Sequence, residues 1–210
     1  MKRPRRAYAG KVRSLDIPVP GAFTTPEQFL TSKLGSKAAA ERSIAAVADQ
    51  LGVSQEAPRS TLAAIALAKL GADLDFVAKS LDWEDFEAFC AVVLTASDYE
   101  VKRNVRLRKP TRQIDIVAES PSLVLVVDCK HWHRALGLSS LEAIISAQAE
   151  RTGLLLRGRP TTKPHLPVII TVLDNQARIV NGVPVVPLQG LKDFASSVNR
   201  FDNELSFIGS

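Results

Sequence analysis

The segment LVLVVDCKHWHR, from Leu123 to Arg134, constrains the fold more than any other part of the chain. Its first five residues are apolar, which is typical of a buried strand. The strand then turns polar, with Asp128 and Lys130 two positions apart. Because strand side chains alternate between the two faces, these two point the same way and Cys129 points the opposite way. The pattern predicts a buried sheet with a carboxylate and an ammonium side by side at one end.

Hydrophobic periodicity divides the chain into a helical first third and a mixed second part. Helices are predicted from Thr25 onward and over 36–51, 60–70, 73–81 and 83–96, with strands following over 99–107, 112–119 and 123–129. A helix beginning at Ser139 or Ser140, a strand over 166–173, a hairpin around Asn181-Gly182 and a helix over 188–198 complete the prediction. This order indicates an α/β core with a mixed sheet flanked by helices, preceded by a helical extension.

Three regions are expected: a basic irregular tail over 1–23, a helical region over 24–81 and an α/β domain over 82–210. No apolar run approaches the length needed to cross a membrane, so no membrane partner is expected. The two cysteines, Cys90 and Cys129, provide no disulfide framework, which favours a reducing cytoplasm.

Basic residues are concentrated in two places. The net charge is +5, and residues 1–13 hold six basic residues without an acid, so the rest of the chain is close to neutral. The second cluster is the hairpin sequence KRNVRLRKPTR, which contains Lys102, Arg103, Arg106, Arg108, Lys109 and Arg112. Such clusters attract a polyphosphate partner, although a solvated tail and a solvated hairpin would have the same composition.

Three acids and one lysine stand out by their positions: Glu87 on the helix before the sheet, Asp115 within the second strand, and Asp128 and Lys130 at the end of the third. Aspartate is depleted in strand interiors, so two strand aspartates need a reason. Neighbouring carboxylates repel each other unless a cation such as Mg²⁺ lies between them. A bound metal ion with a nearby lysine is suited to phosphodiester cleavage, and the carbonyl of Cys129 is a further candidate ligand.

These segments resemble the PD-(D/E)xK nuclease superfamily, specifically its Mrr-type restriction endonuclease branch. The matching pieces are WEDFEAFCAVVLTASDYEV, RQIDIVAE and LVLVVDCKHWHR, and the resemblance covers about residues 82–190. It implies a restriction endonuclease-like fold in which Asp115 and Asp128 hold the metal, Glu87 assists them and Lys130 is the catalytic lysine. The proline that the superfamily places before the second-strand aspartate is replaced here by Ile114.

Several residues near these motifs have two interpretations. Gln148 matches the place of a polar helper residue in some relatives, but it is also consistent with a helix-surface glutamine; Thr152 stands where an aromatic residue would follow. His131, His133 and Arg134 are candidates for phosphate contact, and the cysteine partners of a structural zinc site are lacking. Trp132 is suited equally to base stacking and to packing.

The expected function is therefore Mg²⁺-dependent endonucleolytic cleavage of DNA, with Mn²⁺ as a substitute ion and no small-molecule cofactor. Two alternatives stay open. One is a Holliday-junction resolvase-like enzyme on the same fold, and the other is a non-catalytic nucleic-acid-binding or assembly subunit. A homodimer is one possible assembly. Residues 45–55 followed by 59–71 resemble a helix-turn-helix, but Ala, Leu and Ile fill the second helix, which favours a packed bundle.

Overall fold

The structure is a computed structural model that describes residues 25–52, 57–108, 110–132, 137–172, 178–198 and 204–209. These ranges contain seven α-helices: α1 (Pro26–Leu34), α2 (Lys37–Leu51), α3 (Arg59–Lys69), α4 (Leu74–Ser80), α5 (Trp83–Thr95), α6 (Leu138–Gly158) and α7 (Leu191–Ser197). They also contain six strands: β1 (Glu100–Arg108), β2 (Thr111–Glu119), β3 (Val124–Lys130), β4 (His165–Thr171), β5 (Arg178–Val180) and β6 (Val183–Pro187). The basic tail lies outside the described residues.

The six strands form one mixed sheet in the order β1-β2-β3-β4-β6-β5. Strands β1, β2 and β3 are antiparallel neighbours, whereas β4 is parallel to both β3 and β6. Helix α6 is the crossover between β3 and β4, as a parallel connection requires. The predicted α/β fold with a mixed sheet flanked by helices is confirmed.

Local sequence signals set the ends of the first two helices. Thr25 and Ser36 accept hydrogen bonds from the backbone N–H groups of Gln28 and Ala39, which caps α1 and α2. Gly35, which ends α1, has a φ of 72°, a conformation that glycine adopts without a steric penalty. The chain therefore turns sharply between these helices.

Helix α3 is the centre of the N-terminal helices. Residues 61–67 of this helix are all buried, and α1, α2, α4 and α5 pack around it. A helix that is buried on all sides cannot present a recognition face to a DNA groove. The packed-bundle interpretation is therefore favoured over a helix-turn-helix.

One predicted helix begins later than expected. The apolar pattern predicts a helix over 188–198, but Leu188–Gly190 forms a 3₁₀ turn and α7 begins at Leu191. Pro187 ends β6 and Gly190 stands immediately before α7, so the change of direction is completed in this short turn.

Alternating side chains of β3 supply two different core clusters. Leu125 and Val127 belong to the main cluster, which contains Phe86 and Leu94 of α5. Val126 belongs to a second cluster with Leu155 of α6. Because Asp128 continues the alternation of Val126, it points toward the α6 side of the sheet.

The β1–β2 hairpin changes its packing side at Asn104. This residue has a φ of 53°, and the packing of β1 changes there: Val101 contacts the main cluster, whereas Val105 joins the second cluster with Ile114. A left-handed residue increases the local twist of a strand. Asp115 follows Ile114 and therefore lies where the hairpin changes sides.

No helix within the described ranges is long and apolar enough to span a membrane.

Candidate active site at the end of the third strand

Asp115 and the end of β3 are joined directly. The Cys129 backbone N–H donates a hydrogen bond of 2.8 Å to Asp115 Oδ2. The regular pairing of β2 with β3 begins at Ile116 and Val127, so this bond continues the contact between the strands through a side chain. It places the Asp115 carboxylate beside the backbone between Asp128 and Lys130.

The Cys129 carbonyl is directed to the same side of β3. In the next residue, the carbonyl of Lys130 accepts from the Val172 N–H of the neighbouring β4 segment, at 3.4 Å. Backbone groups of successive strand residues point to opposite neighbours, so the N–H and carbonyl of Cys129 both point toward β2. The predicted carbonyl ligand therefore lies on the side where Asp115 lies.

Asp128 is buried between two cations. Its side chain is 7% exposed, with Lys130 Nζ 2.8 Å from Oδ2 and Arg151 Nη2 3.0 Å from Oδ1. The contact with Lys130 is an ion pair without hydrogen-bond geometry, because Oδ2 receives no hydrogen bond among the described residues. A buried carboxylate needs such partners to remain ionised.

Gln148 connects α6 to the sheet. Its side chain is completely buried, its Nε2 donates to the Val126 carbonyl at 2.7 Å, and its Oε1 accepts from Arg151 Nε at 2.8 Å. The Thr152 hydroxyl donates back to the Gln148 carbonyl at 2.9 Å. Gln148 is thus not a helix-surface glutamine, and it contacts Asp128 through Arg151; a helper role remains a prediction.

Glu87 approaches the site from α5. The residue is 5% exposed, and its Oε2 is buried without a hydrogen-bond partner among the described residues. Burial, with the charge of Asp115 as the next cause, raises the pKa of Glu87 from 4.5 to about 7, while nearby Arg103 lowers it. Burial also raises the pKa of Asp115, against the hydrogen bond from Cys129, and the charge of Asp128 raises it further. The three predicted acids therefore share one electrostatic environment.

These donors fit a hard divalent cation by chemistry and by charge. All are oxygens, and Glu87 Oε2 is buried without a hydrogen-bond partner among the described residues. Burial, together with repulsion between the carboxylates, raises the pKa of Glu87 and of Asp115. No three His, Cys, Asp or Glu side chains of the described residues are already grouped as a metal site. The cation would be held by Asp115, Asp128 and Glu87, with the Cys129 carbonyl on the same side.

The basic residues of the β1–β2 hairpin differ in their exposure to solvent. Arg106, Arg108 and Arg112 are exposed, and Lys102 is exposed but pairs with Glu100 at 2.8 Å. Arg103 instead donates to the Glu84 carbonyl of α5 at 3.1 Å, and its charge lowers the pKa of Glu87. Lys109 lies outside the described residues.

His131 and Trp132, which follow β3, pack against neighbouring parts of the protein. His131 Nε2 is 3.1 Å from the carbonyl of Ala78, and its ring lies 5.6 Å from that of Phe86. Trp132 packs against the cluster that contains Leu141 and Ile145. These contacts favour packing for Trp132 and show that His131 also packs against α4 and α5. Its phosphate contact stays a prediction. His133 and Arg134 lie outside the described residues.

Arg151 is not among the site residues that the sequence predicts. Its spacing from Gln148 offers a signal, because residues three apart on a helix lie on the same face. The alternation of β3 places Asp128 on the α6 side, where a cation on α6 can pair with the buried carboxylate. The spacing marks the face of α6 that Arg151 shares with Gln148, but its pairing with Asp128 follows only from the packing of α6 on β3.

Residues 78–157 match the family model Mrr_cat, which is described as a restriction endonuclease. This range includes Glu87, Asp115, Asp128 and Lys130. A protein of Archaeoglobus fulgidus, described as uncharacterized, is 26% identical over 132 residues, which make up 60% of this chain and 98% of that protein.

Two solved structures are similar to parts of the chain. The crystal structure of AF1548, a protein of unknown function, matches 47% of this chain and 47% of that chain with 21% identity and a TM-score of 0.32. The crystal structure of protein VC1899 from Vibrio cholerae matches 85% of this chain and 55% of that chain, with 11% identity and a TM-score of 0.37. The matched regions thus span about half of each solved structure.

Proposed function

Given that residues 78–157 are an Mrr-type restriction endonuclease domain of the PD-(D/E)xK superfamily, we propose that the chain is a metal-dependent endonuclease that hydrolyses phosphodiester bonds of DNA. The observation that supports this most directly is the hydrogen bond of 2.8 Å from the Cys129 N–H to Asp115 Oδ2. It joins two strand-borne acids and a lysine at one edge of the sheet. Clustered acids repel phosphate, so binding without cleavage gives no reason for them.

Asp115 and Asp128 are the proposed metal ligands, with Glu87 and the Cys129 carbonyl assisting. Mg²⁺ is the proposed ion and Mn²⁺ a substitute, because both accept oxygen ligands. When bound, such an ion polarises the phosphate and acidifies water. The orphaned Oε2 of Glu87 supports this assignment, since a buried carboxylate oxygen without a partner is costly.

Lys130 is the proposed catalytic lysine. Its ammonium pairs with Asp128 Oδ2 without hydrogen-bond geometry, and its side chain is 27% exposed. It is therefore held close to the acids and remains accessible to a substrate. In this position the ammonium orients the attacking water and offsets the negative charge that develops on the phosphate.

Exposed arginines of the β1–β2 hairpin are the proposed DNA backbone contacts. Arg106, Arg108 and Arg112 lie on the strand pair that carries Asp115. Guanidinium groups bind phosphates through two parallel hydrogen bonds and are effective at this task. The basic tail, Lys109, His133 and Arg134 are proposed to add to this surface, and a homodimer is a proposed assembly.

The domain division is also a proposal. Residues 24–81 are proposed as a helical region that stabilises the nuclease-like domain over 82–210, since α3 packs against α5 and both contribute to one core cluster. Helix α5 carries Glu87, so this packing supports the position of a proposed metal ligand.

The proposed function is tested by incubating labelled duplex, single-stranded and four-way-junction DNA with the protein in Mg²⁺, Mn²⁺ or EDTA. Asp115→Asn is the inactive variant, and Asp193→Asn, which changes an exposed acid on α7, is the control. Metal-dependent cleavage that is lost in Asp115→Asn and kept in Asp193→Asn supports the nuclease. Cleavage of four-way junctions alone would favour the resolvase-like enzyme. Tight binding without cleavage of any substrate would favour the non-catalytic subunit.

A further inference from the structure

Arg151 is the residue that joins α6 to the acidic site. Its Nε donates to Gln148 Oε1 at 2.8 Å, and its Nη2 lies 3.0 Å from Asp128 Oδ1. Gln148 is in turn held by its bond of 2.7 Å to the Val126 carbonyl, two residues before Asp128 on β3. The guanidinium is therefore fixed by the same strand whose carboxylate it contacts.

The two oxygens of Asp128 are not equivalent. Oδ1 faces a guanidinium that is anchored through Gln148, and the Arg151 side chain is 20% exposed. Oδ2 faces the Lys130 ammonium without hydrogen-bond geometry. A flexible ammonium can move away at little cost, whereas a planar guanidinium that also donates a hydrogen bond to Gln148 Oε1 is held in place. Oδ2 is thus the oxygen that is open to exchange its partner.

We propose that Arg151 is a positioning residue that holds Asp128 Oδ1, so that Oδ2 is presented to the divalent cation. This inference rests on the proposed function and adds to it the residue that sets the affinity of the site for its metal. Without the guanidinium, Oδ1 loses its anchored partner, and the carboxylate is free to turn both oxygens toward Lys130. Partners of this kind typically change metal affinity by about 10–100-fold when they are removed.

A competing effect has the opposite sign. The positive charge of Arg151 repels a cation. If the guanidinium only competed with the metal ion for the Asp128 carboxylate, its removal would strengthen metal binding. Solvent that reaches the partly exposed guanidinium weakens this repulsion. The direction of the change in affinity therefore separates positioning from simple competition.

The test is Mn²⁺ binding by the 210-residue chain without DNA, monitored through the electron paramagnetic resonance signal of the free ion. Arg151→Met removes the charge and keeps most of the side-chain volume. Arg157→Met is the matched control, because Arg157 is an exposed arginine on the same helix. Circular dichroism in EDTA checks that each variant folds.

We expect Arg151→Met to bind Mn²⁺ about 10–100-fold more weakly than the wild type, with Arg157→Met unchanged. The Mn²⁺ concentration for half-maximal cleavage should rise by the same factor, while cleavage at saturating Mn²⁺ returns toward the wild-type rate. Equal or tighter Mn²⁺ binding by Arg151→Met would overturn the inference and leave the nuclease intact. Absence of Mn²⁺ binding by the wild type would instead overturn the proposed function, and the inference with it.

Arg151→Lys keeps the test decisive if Arg151→Met does not fold. An ammonium keeps the charge but cannot reach Gln148 Oε1 and Asp128 Oδ1 with the fixed geometry of a guanidinium. Weaker Mn²⁺ binding by Arg151→Lys than by the wild type supports positioning. Wild-type affinity in Arg151→Lys would show that charge alone matters and would contradict it.

Discussion

Asp115 of β2 and Cys129 of β3 are joined by a hydrogen bond of 2.8 Å between a carboxylate oxygen and a backbone N–H. The bond lies just beyond the regular pairing of the two strands, which begins at Ile116 and Val127. The Asp115 carboxylate therefore takes the place of the backbone group that would make the next hydrogen bond between β2 and β3. The consequence is that Asp115 of one strand is grouped with Asp128 and Lys130 of the next at one edge of the sheet.

Asp115→Asn should abolish cleavage while keeping the fold. An asparagine oxygen can still accept the Cys129 N–H, so the free energy of unfolding should change little, but the charge that attracts a cation is lost. Asp115→Ala should lose cleavage as well and also destabilise the protein by about 1 kcal/mol, because the N–H loses its acceptor. Urea unfolding and cleavage of labelled DNA measure the two effects. Substantial cleavage by Asp115→Asn would contradict the metal-ligand assignment.

Lys130→Met should separate catalysis from metal binding. We expect cleavage to fall by about 10²–10³-fold, the range for loss of one positioned group that stabilises developing negative charge. Mn²⁺ binding should be kept, because Asp128 Oδ2 is released from its ion pair. Lys192→Met, which removes an exposed lysine of α7, is the control. An equal loss of Mn²⁺ binding and cleavage in Lys130→Met would show that Lys130 acts on the fold of the site instead.

The raised pKa of Glu87 predicts how stability depends on pH when no metal is present. Glu87 has a pKa of about 7 in the folded protein against 4.5 without these surroundings. Its contribution to stability is therefore complete below pH 4.5 and is lost as the pH rises through about 7, because the charged form is penalised by burial.

Urea unfolding in EDTA at pH 5 and pH 8 measures this dependence. The wild type should lose more stability between the two pH values than Glu87→Gln, which cannot ionise. Glu142→Gln, a change at an exposed glutamate of α6, should behave as the wild type does. Parallel pH profiles of the wild type and Glu87→Gln would show that Glu87 is already ionised at pH 5. Added Mg²⁺ should reduce the difference in stability between the wild type and Glu87→Gln at pH 8.

Exposed arginines of the hairpin should determine DNA affinity and its dependence on salt. Arg106→Glu or Arg108→Glu should weaken binding at low salt and reduce the slope of log K against log[salt] by about one for each phosphate that the variant no longer neutralises. Binding is measured in EDTA so that the DNA stays intact. Lys192→Glu produces the same change in net charge on another surface. A loss of affinity as large in that control would mean that net charge, not the hairpin, attracts the DNA.

Gln148→Leu should destabilise the protein by about 1–3 kcal/mol, since the buried Val126 carbonyl and Arg151 lose a partner. Gln113→Leu is the control for glutamine removal, because Gln113 is exposed and bonds Asn104 at 2.9 Å. Thermal unfolding in EDTA compares the two variants. A stability of Gln148→Leu equal to that of the wild type would contradict the connection between α6 and β3.

Local patterns in the sequence determined the elements and their order. The period of two in β3 placed Asp128 and Lys130 on one face, and the structure has their charged atoms 2.8 Å apart. Cap residues and left-handed glycines set helix ends in the same way, as at Thr25 and Gly35. These features depend on neighbours in the chain, which is why periodicity and turn chemistry suffice to predict them.

Contacts between distant elements were decided by the tertiary structure. Arg103 belongs to a basic hairpin by sequence, yet in the structure it donates to the Glu84 carbonyl of α5, next to the left-handed residue Asn104. Gln148 was compatible with the surface until the packing of α6 buried it. Arg151 acquired its partner on β3 through the same packing. Such contacts depend on how two elements cross in space, and that crossing is set by the whole core and not by the residues beside each side chain.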